Sequence, residues 1–318
     1  MPALGAPGGD LHDGALVCAY KAESSDPSIA VLAMVAHEVN DRATAPLRRL
    51  VRPTPLHTVG GRYDLRRLIG HGGMAHVFLG WDRLLEREVA IKVLHPERVS
   101  DEHARERFRR EALALARIDS PHVVDVYDWG QDGDVCYLVM RAVLGRSIAA
   151  LIDEVGALPF GRAVRLGCEV LTGLSAIHAQ RLVHRDVTAA NVMVDATERA
   201  VLIDLGVVLD PRRRKLTPVD CTVGTPPCMA PEQRAGWASA GSDLYQTGLL
   251  LLYMLTGADA HTITSPDDLL RRLPRRVGAV LARALALDPA ARFASAAELR
   301  NALLSSLGDV ASLNKDRK

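Results

Sequence analysis

His184-Arg185-Asp186-Val187-Thr188-Ala189-Ala190-Asn191 is followed by Ile203-Asp204-Leu205-Gly206, and then by Ala230-Pro231-Glu232. Asp204 lies eighteen residues beyond Asp186, enough for a short hairpin between two loops that both carry polar side chains. No single piece decides anything. The order of the three pieces and the intervals between them do.

Upstream, Ile69-Gly70-His71-Gly72-Gly73-Met74-Ala75-His76-Val77 reads as a strand, a glycine-rich turn and a second strand, and Val89-Ala90-Ile91-Lys92-Val93-Leu94 as a third. A helical period runs through Arg105, Phe108, Glu111, Ala112, Leu115 and Ile118. A Gly-x-Gly-x-x-Gly loop alone is weak evidence, and here its third glycine is Ala75. Its weight comes from Lys92 downstream. Together these stretches resemble the Hanks-type, or eukaryotic-like, serine/threonine kinases of bacteria, over about Arg62 to Leu307. Arg107-Phe108-Arg109-Arg110-Glu111-Ala112, Tyr137-Leu138-Val139-Met140 and Asp288-Pro289-Ala290-Ala291-Arg292-Phe293 follow in that family's order.

The resemblance implies an α+β, two-lobed fold, with a small antiparallel N-lobe at 62–141 carrying one helix and a mainly helical C-lobe at 146–307. Strands are expected near 62–70, 75–81, 87–94, 123–130 and 134–141, and a helix near 101–118. Long helices are expected near 160–180, 240–256, 275–286 and 294–306. ATP with Mg2+ is then the expected cofactor, lying between the lobes. Gly70, Gly72 and Gly73, with His71, Met74, Ala75 and His76 in the same loop, would let backbone N–H groups approach the phosphates. Ile69 and Val77 would close over the adenine, Ala90 would be a further ATP-binding residue, Met140 would limit access behind the adenine, and the backbone of Arg141 and Val143 would bind its edge. Lys92 would hold phosphates, fixed by Glu111. Asp186 would accept or orient the proton of the substrate hydroxyl, and Asn191 and Asp204 would hold magnesium through hard oxygens. Glu232 would pair with Arg292, Asp243 would cap the backbone of the loop around Asp186, and His184 would be a packed core histidine.

Three departures from the family bear on rate. A Cβ at Ala75 costs free energy if that position needs a positive φ. Thr188 stands where serine/threonine kinases generally place a lysine that reaches the transferred phosphate. Only thirty residues separate Gly257 from Asp288, so the large lobe is short. These favour a pseudokinase, a nucleotide-binding scaffold, whereas Lys92, Glu111, Asp186, Asn191 and Asp204 favour an active protein phosphotransferase. A small-molecule phosphotransferase would generally lack Gly224-Thr225-Pro226 and Ala230-Pro231-Glu232. With Thr225 in the substrate wall, that segment points to serine/threonine-bearing protein substrates, although Ala189-Ala190 is closer to tyrosine kinases. Thr217 and Thr222 are the expected regulatory phosphorylation sites, opposite Arg185.

Composition narrows the rest. With 318 residues, 48% hydrophobic, 24% charged and net charge +1, the chain is an ordinary globular sequence without the basic excess of a nucleic-acid binder. Five scattered cysteines without a Cys-x-x-Cys pair fit a reducing cytoplasm. No stretch approaches the roughly 20 apolar residues of a membrane span. Residues 1–61 read as an extension, flexible apart from a possible helix at 27–40 with Ile29, Leu32, Val35, Ala36 and Val39 on one side. Residues 308–318 read as a tail, with no receptor segment expected after it, and the oligomeric state is not set by the sequence.

Overall fold

The computed structural model describes residues 56–205, 228–258 and 266–313, with side chains as far as residue 306. The suggested helix at 27–40 and Thr217, Thr222 and Thr225 lie outside these residues. The chain divides into two compact units. One holds the residues up to Arg105 with Asp128–Val139, and the other Glu106–Tyr127 and the residues from Met140 onward.

The first unit is built on a sheet of order β1-β2-β3-β4-β6-β5, from β1 (His57–Val59), β2 (Tyr63–His71), β3 (Ala75–Asp82), β4 (Arg87–Leu94), β5 (Val126–Asp132) and β6 (Val135–Arg141). Side chains alternate across β4 as the pleat requires: Val89, Ile91 and Val93 join Tyr63, Leu65, Phe78 and Val139 in the core, and Ala90 and Lys92 take the other face. Short α1 (Pro96–Val99) and longer α2 (Glu102–Leu115) follow β4. The expected strands and the helix are all present. Strand β1 corrects the reading of residues up to 61 as an extension, because it pairs antiparallel with β2 through His57↔Leu65, Thr58↔Asp64 and Val59↔Tyr63. Gly60 and Gly61 turn the chain with φ of 58° and 62°. A Cβ on Gly60 would sit 2.1 Å from the Tyr137 hydroxyl, so glycine is required there for space as well.

In the second unit, β7 (Gly145–Ser147) leads into α3 (Ile148–Val155), whose first turn is capped by Ser147 Oγ accepting from the Ala150 N–H at 3.1 Å. After α4 (Phe160–Ala179), the hairpin β8 (Val192–Asp195) and β9 (Ala200–Leu202) fills the interval between Asp186 and Asp204. With β7 it forms an antiparallel three-stranded sheet of order β7-β8-β9. Then come α5 (Pro231–Arg234), α6 (Ala240–Thr256), α7 (Pro266–Leu270), α8 (Arg275–Ala284) and α9 (Ala296–Leu313). Helices α4 and α6 cross closely at Gly167, where a Cβ would come within 2.5 Å of Leu251 Cδ2.

Glu232 and Arg292 pair as expected, through two hydrogen bonds of 2.6 and 2.8 Å. Both side chains are buried, Ser242 Oγ donates to Glu232 Oε1 at 2.7 Å, and Arg292 also donates to the carbonyls of Gly241 and Ala286. Removing one partner leaves a buried charge alone. Arg292→Met is therefore expected to lower unfolding free energy by about 3–5 kcal/mol in urea, and Arg292→Met/Glu232→Leu to recover most of it. Burial pushes the Glu232 carboxyl up, but the hydrogen bonds from Arg292 and Ser242 outweigh it and hold the group below the usual carboxylate range. A depressed folded-state pKa stabilises the fold fully above the unfolded value of about 4.3, and that stabilisation is lost as pH falls through the folded value. The acid limb of the unfolding curve should shrink in the double variant.

Candidate active site

The loop from His184 to Asn191 is held from below by α6. Buried Asp243 accepts the N–H of His184 at 2.9 Å, the N–H of Arg185 at 2.7 Å, and is 2.7 Å from His178 Nε2. One turn on, Gln246 accepts the Val187 N–H at 3.1 Å and donates to the Arg185 carbonyl at 2.9 Å. Gln233 on α5 donates to the same carbonyl at 2.9 Å. These bonds fix both sides of Arg185, whose φ of 71° is left-handed and costs a non-glycine residue about 1–3 kcal/mol. The expected capping role of Asp243 is what the structure shows. Gln246, Gln233 and His178 escaped the sequence reading, although Gln246 stands three residues after Asp243 on the same helix and shares its face.

Above that base, Asn191 Nδ2 donates to the Asp186 carboxylate at 2.8 Å and to the Asp186 carbonyl at 3.0 Å. The amide nitrogen is thereby committed, so the opposite atom of the same group, Oδ1, is the one turned away from Asp186. The Ile203 N–H donates to the Asn191 carbonyl at 3.1 Å, which ties the strand end before Asp204 to the loop. His184 is fully buried and accepts the Asp186 N–H on Nδ1 at 3.3 Å. Burial lowers its pKa against the opposing pull of Asp243, Asp186 and Asp204, and it is a packed core histidine, as expected. Asp186 and Asp204 thus both act on one imidazole. Among the described residues no group of three or more His, Cys, Asp or Glu is placed to hold a metal. Magnesium does not need one: it is commonly bound by one or two carboxylates together with substrate phosphates and water, so an Asn191 amide oxygen and the Asp204 carboxylate fit it.

Thr188 donates its N–H to the Asp186 carbonyl at 3.0 Å and accepts the Asn191 N–H at 3.1 Å, so its backbone is part of the loop. Its side chain is buried, and its hydroxyl has no hydrogen-bond partner among the described residues.

In the first unit, Gly70, Val77 and Lys92 lie opposite one another on β2, β3 and β4, through Gly70↔Val77 and Val77↔Lys92. Ala90 shares the Lys92 face, and Ile69 is a large apolar side chain left 48% exposed at the loop entrance. Lys92 and Glu111 are both buried and belong to different units. The concern over Ala75 falls away. None of Gly70, Gly72, Gly73 and Ala75 has a positive φ, and Ala75 begins β3 paired with Leu94. The glycines serve openness instead, since a Cβ at Gly73 would meet nothing within 4 Å and one at Gly70 only Val77, at 3.6 Å. Such a bare backbone face fits phosphate oxygens that must approach N–H groups.

At the end of β6, Met140 is buried and the Arg141 N–H is already committed to the Asp125 carbonyl at 2.9 Å, with an Arg141–Asp125 ion pair of 2.8 Å beside it. The expectation for the Arg141 backbone narrows to its carbonyl. Val143 follows two residues later, half-buried.

Residues 63–284 match the family model for the protein kinase domain. The chain is 38% identical over 273 residues to the serine/threonine-protein kinase PksC of Streptomyces coelicolor, covering 77% of this chain and 49% of that protein. It is 31% identical over 275 residues to the serine/threonine-protein kinase PrkC of Bacillus subtilis, covering 81% and 42%. The chain therefore spans about half the length of the curated relatives it matches. Among solved structures, the Mycobacterium tuberculosis PknI kinase domain superposes with a TM-score of 0.63 at 27% identity, covering 81% of this chain and 99% of that one. A family model spanning most of the chain, over a helix-braced Asp186–Asn191 loop and a glycine-rich hairpin leading to Lys92, places the chain in the protein kinase domain family, in its bacterial Hanks-type branch.

Proposed function

We propose that the chain transfers the γ-phosphate of magnesium-ATP to serine or threonine hydroxyls of proteins. The observation that carries this reading is the Asp186–Asn191 pair, seated on a loop whose strained residue is fixed from both sides by α5 and α6. Bound magnesium-ATP supplies a γ-phosphoryl group that moves through a loose transition state, so the protein's work is positioning and charge. Asp186 orients the acceptor hydroxyl and takes its proton. Asn191 Oδ1 and the Asp204 carboxylate offer hard oxygens to the metal. Lys92 would bring its ammonium to the phosphates, with Glu111 proposed as its support, and the backbone from Ile69 to Val77, including His71, Met74 and His76, would lie along them. Met140, the Arg141 carbonyl and the backbone of Val143 would take the adenine end, with Ala90 and Val77 against its face.

The serine/threonine assignment draws on the relatives' names, with Thr225 in the proposed substrate wall. Among the described residues no helix is long and apolar enough to cross a membrane, and Cys136 and Cys168 are buried free thiols. A cytoplasmic setting and no nucleic-acid partner are part of the proposal. Incubation with γ-labelled ATP, magnesium and a generic basic protein should label the acceptor, and Lys92→Met should abolish most of it; magnesium-dependent ATP binding without transfer would contradict the proposal. We also propose that phosphate on Thr217 or Thr222, bringing a charge of about −1.5 to −2, orders its segment toward Arg185. Thr217→Ala/Thr222→Ala should then lose at least about tenfold in activity, and full activity in that variant would refute the switch.

A further inference from the structure

The Gly72 carbonyl, in the middle of the glycine-rich loop, lies 2.7 Å from Nε2 of His95. A carbonyl only accepts, so Nε2 carries the proton and donates. His95 follows β4 immediately, three residues after Lys92, and its own N–H donates to the Met74 carbonyl at 3.0 Å. The Gly72 N–H donates in turn to the Ala75 carbonyl at 2.9 Å. One histidine therefore grips the loop twice, once through its ring and once through its backbone.

The ring is supported from the side. His76 meets it edge to face, with centroids 4.2 Å apart and planes at 80°, and also packs edge-on against His71 at 5.0 Å and Phe78 at 6.3 Å. Burial, with His95 and His71 adding to it, lowers the His76 pKa to about 4, so at neutral pH the prop is uncharged. Its neighbour in the loop also matters. The Gly72 carbonyl and the Gly73 N–H belong to one peptide plane, and in a trans peptide they point in opposite directions. Pinning the carbonyl toward His95 aims the Gly73 N–H away from it, and Gly73 itself stands open, since a Cβ there would meet nothing within 4 Å.

We propose that His95 is a positioning residue of this loop, which turns the Gly72–Gly73 peptide so that the Gly73 N–H is presented to nucleotide phosphates. The inference rests on the reading of the loop as a phosphate cradle. The test compares wild type, His95→Leu and His95→Gln, whose amide N–H can replace the Nε2 donor. Two readouts are taken: amide hydrogen exchange across residues 70–75 in the nucleotide-free chain, and affinity for magnesium-ATP against adenosine. His95→Leu should exchange faster at Gly72 and bind magnesium-ATP about tenfold more weakly, the scale of one lost hydrogen bond, with adenosine affinity and thermal midpoint unchanged. His95→Gln should restore most of both. Unchanged exchange and affinity in the leucine variant, parallel loss of ATP and adenosine binding, or no rescue by glutamine would each overturn the proposal. A wild-type chain that binds no ATP would overturn the cradle reading itself, and the exchange data tell that failure from the first.

Discussion

Asp186→Asn is expected to lower single-turnover phosphoryl transfer about a thousandfold, within the 10²–10⁴ range of a positioned proton acceptor, while magnesium-ATP affinity and thermal midpoint stay near wild type. The substitution keeps the side chain's shape and removes its charge. Asn191 Nδ2 now donates to the Asp186 carboxylate at 2.8 Å, and an asparagine oxygen can still accept that bond. The bonds from Asp243, Gln246 and Gln233 all reach the backbone of residues 184–187, so none depends on the replaced carboxylate. A chemical step that falls with binding intact marks an interaction used in the transition state. A variant that transfers phosphate at the wild-type rate would remove Asp186 from the reaction.

Thr188→Lys is expected to speed single-turnover transfer at saturating magnesium-ATP by at least about tenfold, with a ceiling of about a thousandfold. A charge pair at about 4 Å in an effective dielectric near 20 is worth roughly 4 kcal/mol, which sets that ceiling. In the protein as it stands, position 188 brings a buried hydroxyl without a hydrogen-bond partner among the described residues, two residues after Asp186. The backbone bonds from Thr188 N–H to the Asp186 carbonyl and from Asn191 N–H to the Thr188 carbonyl do not involve the side chain. The loop should keep its path. An unchanged rate in a folded variant would mean that the charge already arrives from elsewhere, and Arg212 to Lys215 would be the segment to replace next.

Much of this was legible before any coordinates. The motifs and the family they resemble placed β2, β3, β4 and β6 within a residue or so, and helical period placed α4 and α6. The interval from Asp186 to Asp204 foretold the β8–β9 hairpin. Strand β1 was missed because three residues are too few to show an alternation, and its evidence is the pairing with β2. At Ala75 a rule about loop glycines misled, because the fold gives that residue an ordinary strand conformation. The tertiary hydrogen bonds were the least visible part. Nothing near His95 in the sequence says that its ring reaches back to Gly72, twenty-three residues away, and only the strand pairing brings them together.

The most direct test is phosphoamino-acid analysis after one turnover of the purified chain with γ-labelled ATP, magnesium and a protein acceptor, run beside Asp186→Asn. The account predicts label on phosphoserine or phosphothreonine in the wild type and almost none in the variant. Label confined to phosphotyrosine, or a wild type that binds magnesium-ATP and labels nothing, would contradict it.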